Sequence, residues 1–158
     1  MANQKMVRVD YRLVHGQVVA KWIKYNPVKR LILVDNDLVN DDFMGDIYRM
    51  AAPDQEVDIV AVGDLQNSLD KKDDNVMIIF KDIKSAKEAA DSGVELAELN
   101  VGAVPSSKDR TTVIQGVSLS KDEFDSLKAL QETGVNVYLQ PIPENSKVSL
   151  ESVESKVK

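Results

Sequence analysis

Two short runs, Arg30-Leu31-Ile32-Leu33-Val34 and Val76-Met77-Ile78-Ile79-Phe80, are apolar without alternation apart from the leading arginine. A strand wetted on one face alternates apolar with polar residues, so a strand that does not alternate is covered on both faces, as in a buried parallel sheet. Parallel neighbours need crossovers, and helix-like stretches stand where those crossovers are required. Lys5-Met6-Val7-Arg8-Val9 reads as a first strand, and Gln17 to Tyr25 as a helix with Val18, Val19, Trp22 and Ile23 on one face, stopped by Asn26-Pro27. Asn40 or Asp41 caps a second helix that runs through Phe43, Met44, Ile47 and Met50 toward Pro53. Glu56 to Ala61 gives a third strand, Asp64 to Leu69 a short helix, and the charged run from Asp70 to Asn75 a surface loop.

Beyond the second apolar run, Ile83 to Ala90 is a helix stopped by Ser92-Gly93, and Glu98 to Val101 is a strand. Thr111–Gln115 and Val117–Leu119 are short strands about Gly116. Ser120, followed three residues on by Glu123, forms a capping box for a helix carrying Phe124, Leu127 and Leu130 as far as Gly134. Val135 to Leu139 makes a last strand, and the tail with Val148, Leu150, Val153 and Val157 is expected to pack weakly or fray. This order predicts an α/β fold: a three-layer, mostly parallel, doubly wound sheet of about six to seven strands with helices on both faces. A length of 158 residues suits one domain over 1–158.

The only histidine of the chain, His15, falls between the first strand and the first helix. At the carboxyl edge of an open α/β sheet such a turn is where ligands bind, because helix-start N–H groups point outward with partial positive charge. A neutral imidazole offers one nucleophilic ring nitrogen, and Arg12 a planar fork of donors suited to phosphate oxygens. Gly16 lets the backbone come close to whatever is bound. Together these make a phosphoryl-accepting site; the bland alternative is a solvated histidine beside an Arg12–Asp10 pair.

The run Arg8-Val9-Asp10-Tyr11-Arg12-Leu13-Val14-His15-Gly16-Gln17-Val18 resembles the N-terminal signature of the IIB component of the mannose/fructose/sorbose family of the bacterial phosphotransferase system. A second family-like segment is Asn100-Val101-Gly102. Tyr11 replaces an acidic residue common in that family, and Ala103 replaces the second glycine after Asn100-Val101. The resemblance implies that His15 is phosphorylated on Nδ1 by a phosphohistidine of a IIA component and passes the group to a sugar delivered by membrane-embedded IIC/IID partners, with no metal and no cofactor. It also implies that the first strand is central. The sugar range it implies is mannose, fructose, sorbose or an amino sugar. Arg12 and the backbone N–H groups of Leu13, Val14, Gly16 and Gln17 are expected to hold the phosphate oxygens. Asp10 orients the turn, and Asn100 and Gly102 support it.

Composition narrows the other classes. With no cysteine, disulfides, thiolate metal sites and the phosphocysteine used by other IIB families are excluded. The net charge of −6 argues against a general nucleic-acid binder. Arg8, Arg12, Lys21, Lys24, Lys29 and Arg30 nevertheless make the first thirty residues positive, a patch that would steer an acidic partner; Lys21 and Lys24 also suit a solvated helix face. No apolar run spans a bilayer and no signal core opens the chain, which points to a cytoplasmic protein; peripheral contact with the permease is what the resemblance implies. Assembly into a homo-oligomer stays open. The loop Ala103–Arg110 follows a strand end and is expected to border the site, with Lys108 or Arg110 reaching it. A rival reading is a receiver-like signalling domain, with Asp35 and Asp37 on a divalent ion and Lys81 on a phosphoaspartate. A nucleotide-binding domain is disfavoured, since no Gly-rich phosphate motif follows any strand.

Overall fold

A computed structural model describes residues Met1–Lys158. Its strands are β1 (Asn3–Asp10), β2 (Arg30–Val34), β3 (Glu56–Val60), β4 (Asn75–Phe80), β5 (Glu98–Ala103), β6 (Thr111–Ile114), β7 (Val117–Leu119), β8 (Asn136–Leu139) and β9 (Val148–Ser149). The helices are α1 (Ile23–Tyr25), α2 (Asp42–Ala51), α3 (Leu65–Asp70), α4 (Ile83–Asp91) and α5 (Lys121–Glu132), and a π-helical turn, Val18–Trp22, leads into α1. Seven strands form one sheet in the order β3-β2-β4-β1-β5-β8-β9, parallel except for β9. The first strand is therefore central. None of the helices is long and apolar enough to cross a membrane.

The two unalternating runs behave as their composition requires. In β4, Val76, Ile78 and Phe80 face one core and Met77 and Ile79 the other; Ile32 and Val34 divide from Leu31 and Leu33 in the same way. The larger core lies under α3, α4 and α5, whose Leu65, Ala86, Ala89, Phe124 and Leu127 are buried there; the smaller lies under the π-turn, α1 and α2. The chain thus leaves β1 toward one edge, returns through β4, and goes on to β5 and β8 at the other. β1 stands at the point where that direction reverses, and the crevice beyond such a strand's carboxyl end is the usual seat of a ligand.

One expectation is corrected, and two placements are new. The tail does not fray: Val148–Ser149 pairs antiparallel with β8, and the 3-10 turn Glu151–Lys156 buries Val153 beside Leu150 in the larger core. β6 and β7 form their own antiparallel hairpin outside the main sheet. Finally, α2 turns Phe43, Ile47 and Met50 to solvent, with Phe43 and Met50 about three-quarters exposed (74% and 77%). Its inward face is Met44, Gly45 and Tyr48, because Gly45 lets the helix lie close to Ile59, where a Cβ would sit 3.1 Å from that side chain.

Candidate functional site

Strand parity sets the site's foundation. Val7 and Val9 face the larger core, so Met6, Arg8 and Asp10 point to the opposite face of β1. Arg8 and Asp10 are fully buried there. The Arg8 guanidinium donates to the carbonyls of Gln140 (3.0 Å) and Pro141 (2.6 Å), lies 3.4 Å from an Asp10 carboxylate oxygen, and stacks on the Trp22 ring at 4.7 Å. Burial lowers its pKa to about 10, against the pull of Asp10, so it stays charged at neutral pH. Gly102 is required by this packing, since a Cβ there would come within 2.3 Å of the guanidinium.

Asp10 collects donors from both sides of the turn. Its carboxylate accepts from the Arg12 backbone N–H (3.0 Å) and Arg12 Nε (3.2 Å), and stands 2.8 Å from His15 Nε2. Burial pushes the carboxyl pKa up, but the bond to His15, the charge of Arg8 and the bond to Arg12 outweigh it, and the net shift is downward. Asp10 is therefore ionised and acceptor-only, so Nε2 carries the proton. On the other side of the ring the Gln17 N–H donates to Nδ1 at 3.2 Å, which leaves the lone pair on Nδ1. The tautomer of the ring is set by its two neighbours.

The turn is tight enough to bring His15 back over Asp10. Leu13 adopts a left-handed φ of 55°, held there by its buried side chain and by its N–H to the Asp10 carbonyl (3.0 Å). A bulky residue in that region carries strain of about 1–3 kcal/mol, which persists where the surroundings fix it. The π-helical geometry begins three residues after His15, a local widening often found beside functional groups.

The structure sorts the predicted residues. His15, Arg12, Asp10 and Gln17 converge, and the N–H groups of Val14 and Gly16 donate to nothing within the chain. A Cβ on Gly16 would meet only open space, as at a position facing a ligand. Leu13 is a correction: its N–H is held by Asp10 and is withdrawn from phosphate binding, as is that of Gln17 while it serves Nδ1. Asn100 is fully buried beside Arg8 in the β1–β5 register and its side-chain amide has no partner within the chain. Arg110 does not reach the site, because it forms a two-pronged pair with Glu123 (2.9 and 3.0 Å) and holds the Pro105 carbonyl. The basic patch thins: Arg8 and Arg30 are buried and Lys21 pairs with Glu144, which leaves Arg12, Lys24 and Lys29 exposed. Of the receiver-like set, Asp35, Asp37 and Lys81 do line one small pocket, but no cluster of acidic side chains fit to hold a metal ion is gathered there. Asp35 is occupied by the Leu38 N–H (3.0 Å), with Lys81 3.9 Å away.

What sequence reading missed was Arg8, Trp22 and the Gln140–Pro141 carbonyls, which brace Asp10 from below. The signal was there in part: an arginine and an aspartate two apart in a strand must share a face. Also missed was a cleft of about 620 Å³ beside the turn, walled by the ends of β1 and β5, the β6–β7 turn and the segment from Pro141 to Val148.

This architecture is shared with solved structures. The chain superposes with a TM-score of 0.92 on manxB from Thermoanaerobacter tengcongensis, at 36% identity over 99% of this chain and 97% of that one. It superposes with a TM-score of 0.90 on the IIBSor domain of the sorbose permease from Klebsiella pneumoniae, at 25% identity, covering 98% of this chain and 99% of that one. Among curated relatives, the sorbose-specific EIIB component of Lacticaseibacillus casei is 28% identical over 141 residues, 87% of this chain and 86% of that protein. The mannose-specific EIIAB component of Escherichia coli K12 is 24% identical over 96% of this chain, which spans about half (48%) of that protein's length. With the profile of the PTS system sorbose subfamily IIB component matching residues 4–158, over the histidine turn and the whole sheet that supports it, the chain belongs to this family of phosphoryl-transfer domains.

Proposed function

We propose that His15 is the phosphoryl carrier of a sugar phosphotransferase system, accepting the group at Nδ1 from a phosphohistidine on a IIA component and yielding it to a sugar delivered by IIC/IID. The observation that carries this reading is the pairing of Nε2 with Asp10 (2.8 Å) while Nδ1 receives only a backbone N–H (3.2 Å). In the first half-reaction the N–P bond of the donor imidazole breaks as the Nδ1–P bond forms. Proton accounting is simple there, since Nε2 keeps its hydrogen throughout and Asp10 balances the charge that develops on the ring. In the second half, Nδ1–P breaks as phosphorus bonds a sugar hydroxyl, whose proton passes to solvent.

Phosphoryl transfer is catalysed mainly by positioning and by neutralising the equatorial oxygens. Arg12, with 39% of its side chain exposed, and the free N–H groups of Val14 and Gly16 are suited to that work. The reading makes the chain one domain that works at the cytoplasmic face of the membrane, against a permease. Relatives named for sorbose, mannose, fructose and N-acetylgalactosamine mark the range of hexoses and amino sugars. The test is incubation with phosphoenolpyruvate, the general phosphotransferase enzymes and a IIA component, then mass mapping of the modified residue. Label is expected on His15 alone and absent from His15→Ala; a modified H15A protein refutes the assignment.

A further inference from the structure

The outer side of α2 is apolar and uncovered. Phe43, Ile47 and Met50, at spacings of four and three, form one stripe along the helix, and Val39 is exposed in the 3-10 turn just before it. Phe43 and Met50 are the most open large hydrophobic residues of the chain. Asp42, Asp46 and Arg49 make the adjoining row. Arg49 reaches Asp46 at 3.6 Å, whereas Asp42 has no ion-pair partner, and neither have the exposed Asp37, Asp41 and Asp54 at the two ends of the helix. Elsewhere on the surface Lys71, Lys72, Lys87 and Lys121 neutralise neighbouring carboxylates. The acidic frame of α2 is left unneutralised.

This face adjoins the histidine turn. The chain enters α2 from the carboxyl end of β2, the same sheet edge at which His15 follows β1, and the two strands are two spacings apart, about 10 Å. Leu13 of the turn shares the walls of one small cavity with Leu38, Met44 and Tyr48. A standard interface covers about 800 Å² on each partner, a patch roughly 30 Å across, which is wide enough to take in both. Charge then decides among occupants. A two-fold dimer would bury the same patch from both copies and set Asp37, Asp41, Asp42 and Asp54 against their equivalents, with Arg49 already engaged by Asp46. Anionic lipid headgroups would be repelled. An apolar stripe in an acidic frame fits an apolar surface framed by Lys and Arg, and cytoplasmic loops of membrane proteins carry that excess of Lys and Arg.

We propose that the stripe of Phe43, Ile47 and Met50, with its acidic frame, is the surface on which this domain docks to basic cytoplasmic loops of the membrane permease, His15 lying at the edge of the contact. The proposal rests on the carrier reading, in which the phosphoryl group leaves for a sugar at that permease. Phe43 and Met50 are the anchors of the contact, and Asp37 and Asp42 steer the approach. The histidine turn is common ground for donor and acceptor, whereas the α2 stripe belongs to the acceptor complex alone.

The test is binding of the full chain to its IIC/IID permease in nanodiscs of zwitterionic lipid, with transfer from phosphorylated IIA followed in parallel. The wild type should bind saturably. The F43S/M50S pair, at positions packed on neither core, should bind at least about tenfold more weakly. The D37N/D42N pair should slow association about threefold at low salt and flatten its dependence on ionic strength. Transfer from IIA to His15 should be unchanged in both. Wild-type affinity in F43S/M50S, an equal loss of transfer from IIA, saturable binding to empty nanodiscs, or a dimer that F43S/M50S dissolves in sedimentation each overturns the proposal. So does a wild type that takes label from IIA and does not bind the permease. If label never reaches His15 the carrier reading falls, while the nanodisc titration still decides whether α2 is a docking surface.

Discussion

The Arg8 guanidinium carbon lies 2.1 Å from the place a Cβ on Gly102 would occupy, so an arginine in the central strand and a glycine in its neighbour have to be read together. Arg8 cannot yield easily, because its nitrogens are fixed by the Gln140 and Pro141 carbonyls and its face by Trp22. The Gly102→Ala change is therefore expected to destabilise the fold by about 3 kcal/mol, at the upper end for overpacking a core. It should also slow phosphoryl acceptance by tilting Asp10. Denaturant unfolding of G102A, R8M and the double variant checks this, with the double variant less unstable than the sum of the two singles. Strict additivity would show the two positions to be independent.

Much of the fold was legible because the residues that fix it act locally. The unalternating β2 and β4 runs announce two covered faces, and Ser120 with Glu123 forms the full capping box at the start of α5. The tail was missed because β9 has two residues, too short for a pattern, and gains its order from β8 and the larger core. Which face of α2 turns inward was not legible. Its apolar residues outnumber what the sheet edge can cover, and the small Gly45, invisible to a hydrophobicity count, decides which face approaches Ile59. At the site, His15, Arg12 and Asp10 were legible as one motif. The bracing from Gln140 and Pro141 was not, since it depends on backbone carbonyls some 130 positions away in the chain (separations of 132 and 133).

Asp10 holds His15 Nε2 at 2.8 Å, so in the proposed carrier role changing it to an amide should change the tautomer before it changes the fold. In Asp10→Asn the side chain can present either an N–H or a carbonyl to Nε2, and the preference for the Nε2–H form weakens. Histidine ¹⁵N shifts are expected to report one tautomer in the wild type and a mixture in D10N. The phosphorylation rate should fall by about 10² or more, since loss of an orienting carboxylate in other catalytic groupings costs up to about 10⁴. An unchanged ¹⁵N spectrum together with a wild-type rate would confine Asp10 to a structural role.

Arg12 is held to Asp10 at 3.2 Å yet keeps 39% of its side chain exposed, so it is placed and still accessible. In the proposed transfer, replacing it with alanine removes one charge-stabilising donor from the phosphate, a loss worth about 10²–10³ in rate. Stopped-flow transfer from a phosphorylated IIA component measures this directly. A change below about threefold, far under the cost of a lost oxyanion donor, would mean that the oxygens are held elsewhere.

Acid stability should be controlled far from the site, at Asp58. This carboxylate meets the fully buried Arg30 at 2.6 Å, Lys71 at 2.7 Å and the Ser68 hydroxyl at 2.8 Å. Burial raises its pKa, but those three donors lower it further, and the net shift is downward. A carboxyl depressed in the folded state contributes stability that is complete above the unfolded value of about 3.9 and is lost as pH falls through the lower folded value. Asp58→Asn leaves Arg30 with Asp74 as its one remaining charge partner, at 3.0 Å. At neutral pH the variant should be less stable by about 3 kcal/mol, the cost of breaking a buried pair from one side. Below pH ~4, where the wild type begins to lose this contribution, the two unfolding midpoints should converge. Urea melts of both proteins across that range read the effect, and a constant gap down to the acid limit would assign the loss to packing instead of charge.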